Sequence, residues 1–278
     1  MTQINDDIAR RFGLVGHLQS YLNLFLEVCD IRGKDVLEVG GAMPRDLVIR
    51  ELGASSWTAV QSAEYAAQRG DNQIPSENEG EARYRSVFEN IENLTSDLTF
   101  NSSFDVVFSI ACFEHIHKLP EALKVIHRAL RPSGRLYTAF APIWSGPWGH
   151  HYDFGVPDRF NEIEPIGGWN SQNIFGPWDH LVMSRVQFYE LYRKKFDDEF
   201  ARQLTYVIYN SPHINRFFFE DYKSFIDVSD FKTLLFQGVF SIEQREPMNN
   251  ALKYIQSKFA HLGYSNFTDA GIVAFLEK

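Results

Sequence analysis

Hydrophobic positions along the chain set out an ordered series of elements. Leu14, Leu18, Tyr21 or Leu22, Phe25 and Val28 recur at helical spacing and predict a helix. Lys34 to Val39 is a short apolar run that stops at Gly40-Gly41, the pattern of a strand feeding a tight turn. Asp46 to Leu52 carries one helical stripe, and Gly53 closes it because glycine adopts φ > 0 without steric cost. Trp57 to Gln61 reads as a second strand, after which Ser62-Ala63-Glu64 opens a helix. Tyr84 to Phe88 reads as a third strand, and Phe104 to Ile110 as a fourth, too apolar to face water on either side. Pro120 suits the first turn of a helix running to Leu130. Pro132-Ser133-Gly134 breaks that helix, and Arg135 to Phe140 is a fifth strand.

Alternation of helix and strand through residue 142 predicts a parallel sheet covered on both faces. Right-handed crossovers then bring every strand C-terminus to one edge, where such sheets bind ligands. The pattern loosens afterwards. Residues 143–180 hold four Trp, three His and many Gly and Pro with no clear period. Gln187 to Phe200 is predicted helical, Phe231 to Phe240 and Gly271 to Leu276 are predicted strands, and Asn249 to His261 a helix between them. The polar, acidic stretch 69–81 reads as an exposed loop.

A length of 278 residues suits one large domain, big enough to bury a two-sided core without staples. Net charge is −9, with no basic run, which argues against a nucleic-acid partner because that binding rests on Lys and Arg neutralising phosphates. The two cysteines, Cys29 and Cys112, form neither a metal-type pair nor a disulfide framework, and a reducing cytoplasm is expected. A polar start (MTQINDDIARRFG) is unlike a signal peptide, and no run approaches 18 apolar residues, so no membrane association is expected. Aromatics stand out, with 24 Phe, 12 Tyr and 5 Trp available for a core or for pocket walls.

The strand-turn unit Val36-Leu37-Glu38-Val39-Gly40-Gly41-Ala42 resembles the first motif of the class I S-adenosylmethionine-dependent methyltransferases. That motif brings backbone against the cofactor, which excludes Cβ atoms. Ala42 and Pro44 stand where the family often has further glycines. The stretch from Phe104 through Ala111-Cys112-Phe113-Glu114-His115-Ile116 to Gly134-Arg135-Leu136 resembles the family's fourth strand, following helix and fifth strand nearly in register. The resemblance covers residues 30–142, and the tail Gly271 to Lys278 is similar to the family's last antiparallel strand.

The resemblance implies an α/β fold: a seven-stranded, mostly parallel Rossmann-like sheet with helices on both faces. Residues 143–230 would form an inserted aromatic-rich cap within a single domain whose core spans 14–142 and 231–278. S-adenosylmethionine is the implied cofactor. Glu38 would lie near its methionine portion, with Gly40, Gly41 and Ala42 forming the turn beneath it. Gln61 stands where the family usually has an acid for the ribose hydroxyls; Glu89 and Asn90 would lie against adenine, and Ser109 and Ala111 along the other side. The Glu114–His115 pair, common after the family's fourth strand, is read as fixing the local turn.

Candidate chemistry after the fifth strand comes from position and residue type. His150, His151 and His180 are candidate general bases, since imidazole titrates near neutral pH, and a catalytic one would give a rate limb near pH 6.5. Of the adjacent pair His150-His151, only one is expected to point inward. Trp144, Trp148, Tyr152 and Trp178 are candidate walls for the acceptor. His150, His151, Asp153 and His180 are metal-ligand types, but they lack a fixed spacing and no metal is expected. The expected activity is methylation of an oxygen or nitrogen on a small polar metabolite, sugar-like or a natural product. A non-catalytic scaffold that kept the fold is the alternative. A nicotinamide dehydrogenase is disfavoured because no G-x-G-x-x-G follows the first strand.

Overall fold

Strands form where the apolar runs said they would. In the computed structural model, which describes residues 3–14, 16–69, 84–96, 98–151, 176–242 and 248–278, these runs are β1 (Asp35–Val39), β2 (Ser56–Gln61), β3 (Tyr84–Phe88), β4 (Phe104–Ile110), β5 (Leu130–Phe140), β6 (Lys232–Val239) and β7 (Gly271–Glu277). They join in one seven-stranded sheet of order β3-β2-β1-β4-β5-β7-β6. The first five pair in parallel, while β7 runs antiparallel to both β5 and β6. The expected α/β, mostly parallel Rossmann-like sheet is the fold observed.

Alternate residues of the central strands feed opposite faces, so the core has two halves. Leu37, Val39 and Val107 pack with α4 (Leu119–Ala129) and α8 (Phe219–Asp227) on one side. Val36, Val106, Phe108 and Ile110 pack with α2 (Gly16–Val28) on the other. A third apolar cluster, from Trp144 and Trp178 to Phe267, gathers α5 (Asp179–Val182), α6 (Arg185–Lys195), α7 (Asp198–Asn210) and α9 (Met248–Phe259). The interval 143–230 therefore supplies both a separate helical cluster and α8, a layer of the sheet core.

Several local expectations needed a tertiary or capping term. A short helix, α1 (Asp6–Arg11), precedes the predicted start because Asn5 Oδ1 accepts from the Ile8 amide at 2.9 Å. Residues Asp46–Glu51 form a π-helical turn rather than an α-helix, ended by Gly53 at φ +75°. α3 (Ala63–Arg69) is opened by Ser62, whose Oγ accepts from the Tyr65 amide at 3.1 Å. The predicted helix Gln187 to Phe200 is two helices: α6 stops before Phe196, and Asp197 caps α7 by accepting from the Phe200 amide at 2.8 Å. Pro132-Ser133-Gly134 does not precede β5 but lies inside it as an irregular step, where pairing to β4 jumps from Phe104↔Leu130 to Val106↔Arg135. The loop expected at 69–81 falls almost wholly outside the described residues. Among those described, no helix is long and apolar enough to cross a membrane.

Candidate active site

The C-terminal ends of β1, β2, β3, β4 and β5 share one edge, and the turn after β1 is its most constrained part. Gly40 sits at φ +90°, and a Cβ there would lie 2.1 Å from Cys112 Sγ and 2.3 Å from Cys112 Cβ. Only glycine lets the β1 exit pass the β4 exit this closely. A Cβ on Gly41 would meet Glu38 Oε1 at 2.6 Å. Glu38 is buried, and its Oε2 accepts from the Met43 amide at 2.8 Å and from Trp57 Nε1 at 2.6 Å. Tyr84 donates its hydroxyl to the Met43 carbonyl at 2.9 Å. The carboxylate therefore braces the turn Gly40-Gly41-Ala42-Met43 from below, with β2 and β3 helping. Trp57 and Tyr84 were not singled out in the sequence as site residues, where their distance along the chain hides these roles; Cys112 stood in the run after β4 expected along the cofactor.

The other edge residues divide into occupied and unpartnered groups. Ser109 is buried and donates Oγ–H to the Val39 carbonyl at 2.9 Å, linking β4 to β1. Ala111, just past β4, stands at φ +48°. Glu89 accepts from the Asn90 amide and Asn93 Nδ2 at 2.9 and 2.8 Å, which holds its carboxyl below the usual range; Asn90 is exposed. Gln61 differs from all of these. It ends β2 with 1% exposure, and neither Nε2 nor Oε1 has a hydrogen-bond partner. A buried primary amide with four unmet hydrogen-bonding capacities is costly unless a ligand supplies partners.

The exits of β4 and β5 meet. A 3-10 turn, Phe113–His115, follows β4 and is clamped from a segment about a hundred residues later. Asn215 Nδ2 donates to the carbonyls of Phe113 and Ile116 at 2.7 and 2.9 Å, and its amide donates to the Glu114 carbonyl at 2.8 Å. Tyr222 donates to Asn215 Oδ1 at 2.6 Å. His115 Nδ1 lies 2.6 Å from the His213 carbonyl, so that nitrogen carries the proton. Glu114 is 2% exposed, and no donor meets its carboxylate oxygens at hydrogen-bonding geometry. Burial lifts its pKa to about 8, with the amides of Glu114 and Ala141 near enough only to moderate the rise.

Both adjacent histidines point inward, contrary to the expectation that one would. His151 adopts φ +45°, which turns its side chain into a different cluster from that of His150. His151 stands edge-on to His115 with ring centroids 5.2 Å apart, while His150 faces His180 at 5.7 Å and Trp148 at 6.3 Å. His180 packs on Trp144 at 4.5 Å, with Nε2 2.7 Å from the Trp144 carbonyl. Burial depresses all three: His151 to about 3, helped by His115; His180 to about 4, with the Trp144 bond opposing; and His150 well below its ordinary value, helped by His180 and His151. A rate limb at pH 6.5 is therefore not expected from any of them. Trp178 is fully buried at φ +62° and donates Nε1–H to the Phe267 carbonyl at 2.7 Å, which makes it a core side chain here rather than a pocket wall. Trp144 is buried against His180 and Arg216, and Trp148 is half-buried. Tyr152 and Asp153 lie outside the described residues.

A family model described as a methyltransferase domain matches residues 40–138, the stretch from the glycine turn to the end of β5. Residues 40–138 are thereby identified as a methyltransferase domain. A solved S-adenosylmethionine-dependent methyltransferase from Mesorhizobium loti shares the fold at a TM-score of 0.53 and 11% identity, over 96% of this chain and 100% of that one. Another such enzyme, from Archaeoglobus fulgidus, gives 0.46 at 12% identity over 97% of each chain. No curated protein matches. The residues present fit S-adenosylmethionine at the β2 exit, where the buried Gln61 amide has no partner and could bond the ribose hydroxyls.

Proposed function

We propose that this methyltransferase transfers the methyl group to an oxygen or nitrogen of a small polar acceptor, sugar-like or a natural product. The observation that carries the reading is a pair of adjacent ring groups after β5: Trp144, Trp148, His150 and His180 in one, and His151 against His115 of the β4 exit in the other. Aromatic faces suit sugar and planar rings, and a net charge of −9 disfavours polyanions.

In this reading Gly40, Gly41 and Ala42 pass the cofactor closely while Glu38 holds their turn and adds negative charge near the methionine portion. Gln61 bonds the ribose hydroxyls, Glu89 and Asn90 flank adenine, and Ser109 and Ala111 close the opposite side. The cofactor supplies an activated methyl group. The chain then has to align the acceptor and exclude water, which accounts for most of such a rate gain. One of His150, His151 or His180, kept neutral by burial, presents a lone pair to an acceptor that must lose a proton. The helical cluster within 143–230 forms the cap over the acceptor, and all of this belongs to one domain. Free, buried Cys29 and Cys112 support residence in a reducing cytoplasm.

The test is methyl-labelled cofactor with a panel of hydroxylated and amino small molecules, followed by release of the demethylated product. Label transferred to RNA or protein, with none to any small acceptor, would refute the acceptor class.

A further inference from the structure

We propose that Glu114, His115 and His151 form a binding site for a divalent first-row transition cation of the zinc class, open on the side of the acceptor. These residues come from two connections, one after β4 and one after β5, and no spacing in the sequence joins them. The structure brings one ligand atom from each within 4.8 Å of the others. Tetrahedral coordination at about 2.0–2.1 Å places ligand atoms about 3.4 Å apart, so side-chain rotation alone must close the set.

Three independent features prepare the trio. The first is the Glu114 carboxylate, 2% exposed and without a hydrogen-bond partner on either oxygen. A buried carboxyl with no cation beside it, and with only the amides of Glu114 and Ala141 nearby, gains from a metal ion that binds its charged form. The second is His115: its Nδ1–H is committed to the His213 carbonyl, which leaves Nε2 as the lone-pair nitrogen. This is the outer hydrogen bond that metal-ligating histidines generally make. The third is support, because Asn215 clamps the 3-10 turn from both sides while His151 is turned inward at φ +45°.

Two imidazoles and one carboxylate suit zinc, iron(II), cobalt(II) or manganese(II), and three protein ligands leave positions open. Those positions would hold an oxygen of the acceptor, preferably a hydroxyl. This last point rests on the methyl-transfer reading; cation binding itself does not.

Chelator-treated full-length chain is titrated with Co²⁺, followed by its visible spectrum and by calorimetry, and separately with S-adenosylhomocysteine. One Co²⁺ per chain is expected, without thiolate character in the spectrum. Glu114→Gln and His151→Gln should each weaken it at least tenfold, whereas Cys29→Ser, in the core on the far face of the sheet, should not. Circular dichroism checks that the variants fold, and if Glu114→Gln does not, His151→Gln decides. No stoichiometric cation, or unchanged affinity in the folded trio variants, overturns the site. Failure of the S-adenosylhomocysteine titration alone would instead count against the cofactor assignment and leave the cation site standing.

Discussion

Replacing Gln61 by Leu should push stability and cofactor affinity in opposite directions. Gln61 is 1% exposed at the end of β2, and both atoms of its amide are without partners. Burying such a group unpaired costs about 1–3 kcal/mol. Leu fills a similar volume and needs no hydrogen bonds, so the ligand-free chain should become more stable by up to that amount. At roughly 2–4 °C per kcal/mol for large domains, the melting temperature should rise on the order of 5 °C. The cofactor complex should respond the other way. A neutral hydrogen bond contributes about 1 kcal/mol, so S-adenosylhomocysteine should bind about fivefold more weakly. Thermal melts with and without ligand, together with calorimetric titration, give both numbers on one sample. Saturating ligand should shrink the gap in melting temperature between variant and parent. A variant that melts lower without ligand and binds the cofactor as tightly as the parent would refute the reasoning: Gln61 would then be a packed core residue and not a ribose ligand.

Other expectations follow from the same geometry. Gly40→Ala should lower unfolding free energy by more than about 2 kcal/mol, through φ strain and collision with Cys112. Cys112→Ala should not rescue it, because the Cys112 Cβ, which that change keeps, lies 2.3 Å from where the new methyl carbon would sit; denaturant unfolding of the double variant tests this. Asn215→Ala should cost about 2–4 kcal/mol, since it removes the two bonds donated by Nδ2 and strands the Tyr222 hydroxyl; the same denaturant series measures it. His180 is held near pKa 4 against about 6.5 when unfolded, so the unfolded chain binds its proton first. Its contribution to stability is complete above pH 6.5 and is lost as pH falls toward 4, and His180→Gln should remove up to about 1.4 kcal/mol per pH unit of slope within that window.

Much of the sheet was legible because buried parallel strands are continuous apolar runs. The predicted bounds of Tyr84–Phe88 and Phe104–Ile110 match β3 and β4 residue for residue. Helices in the second half were less legible. Their boundaries depend on single caps such as Asp197, and α8 buries only Tyr222 and Ile226 among polar neighbours. At the site, Gly40 and Gln61 could be placed from the strand ends. The tie of Asn215 to the β4 exit could not, because a side chain bonding to carbonyls about a hundred residues away leaves no local pattern. Trp178 misled for a related reason: a Trp in an irregular, glycine-rich stretch looks like a pocket wall until its indole is seen bonded to Phe267.

The grip of the 211–215 segment on the β4 exit constrains how an acceptor gets in. Pro212 and His213 offer carbonyls to His117 and His115, and Asn215 reaches three backbone groups of the 113–116 turn. This junction between α7 and α8 is consequently the fixed pivot of the helical cluster, since swinging it away would tear several buried bonds at once. Any opening must rotate about that pivot and be absorbed at the cluster's other attachments, near 143–151 and around α9. In the proposed reading, acceptor entry and the placement of Glu114 and His115 are thereby uncoupled: the helical cluster can shift while the 113–116 turn stays in register.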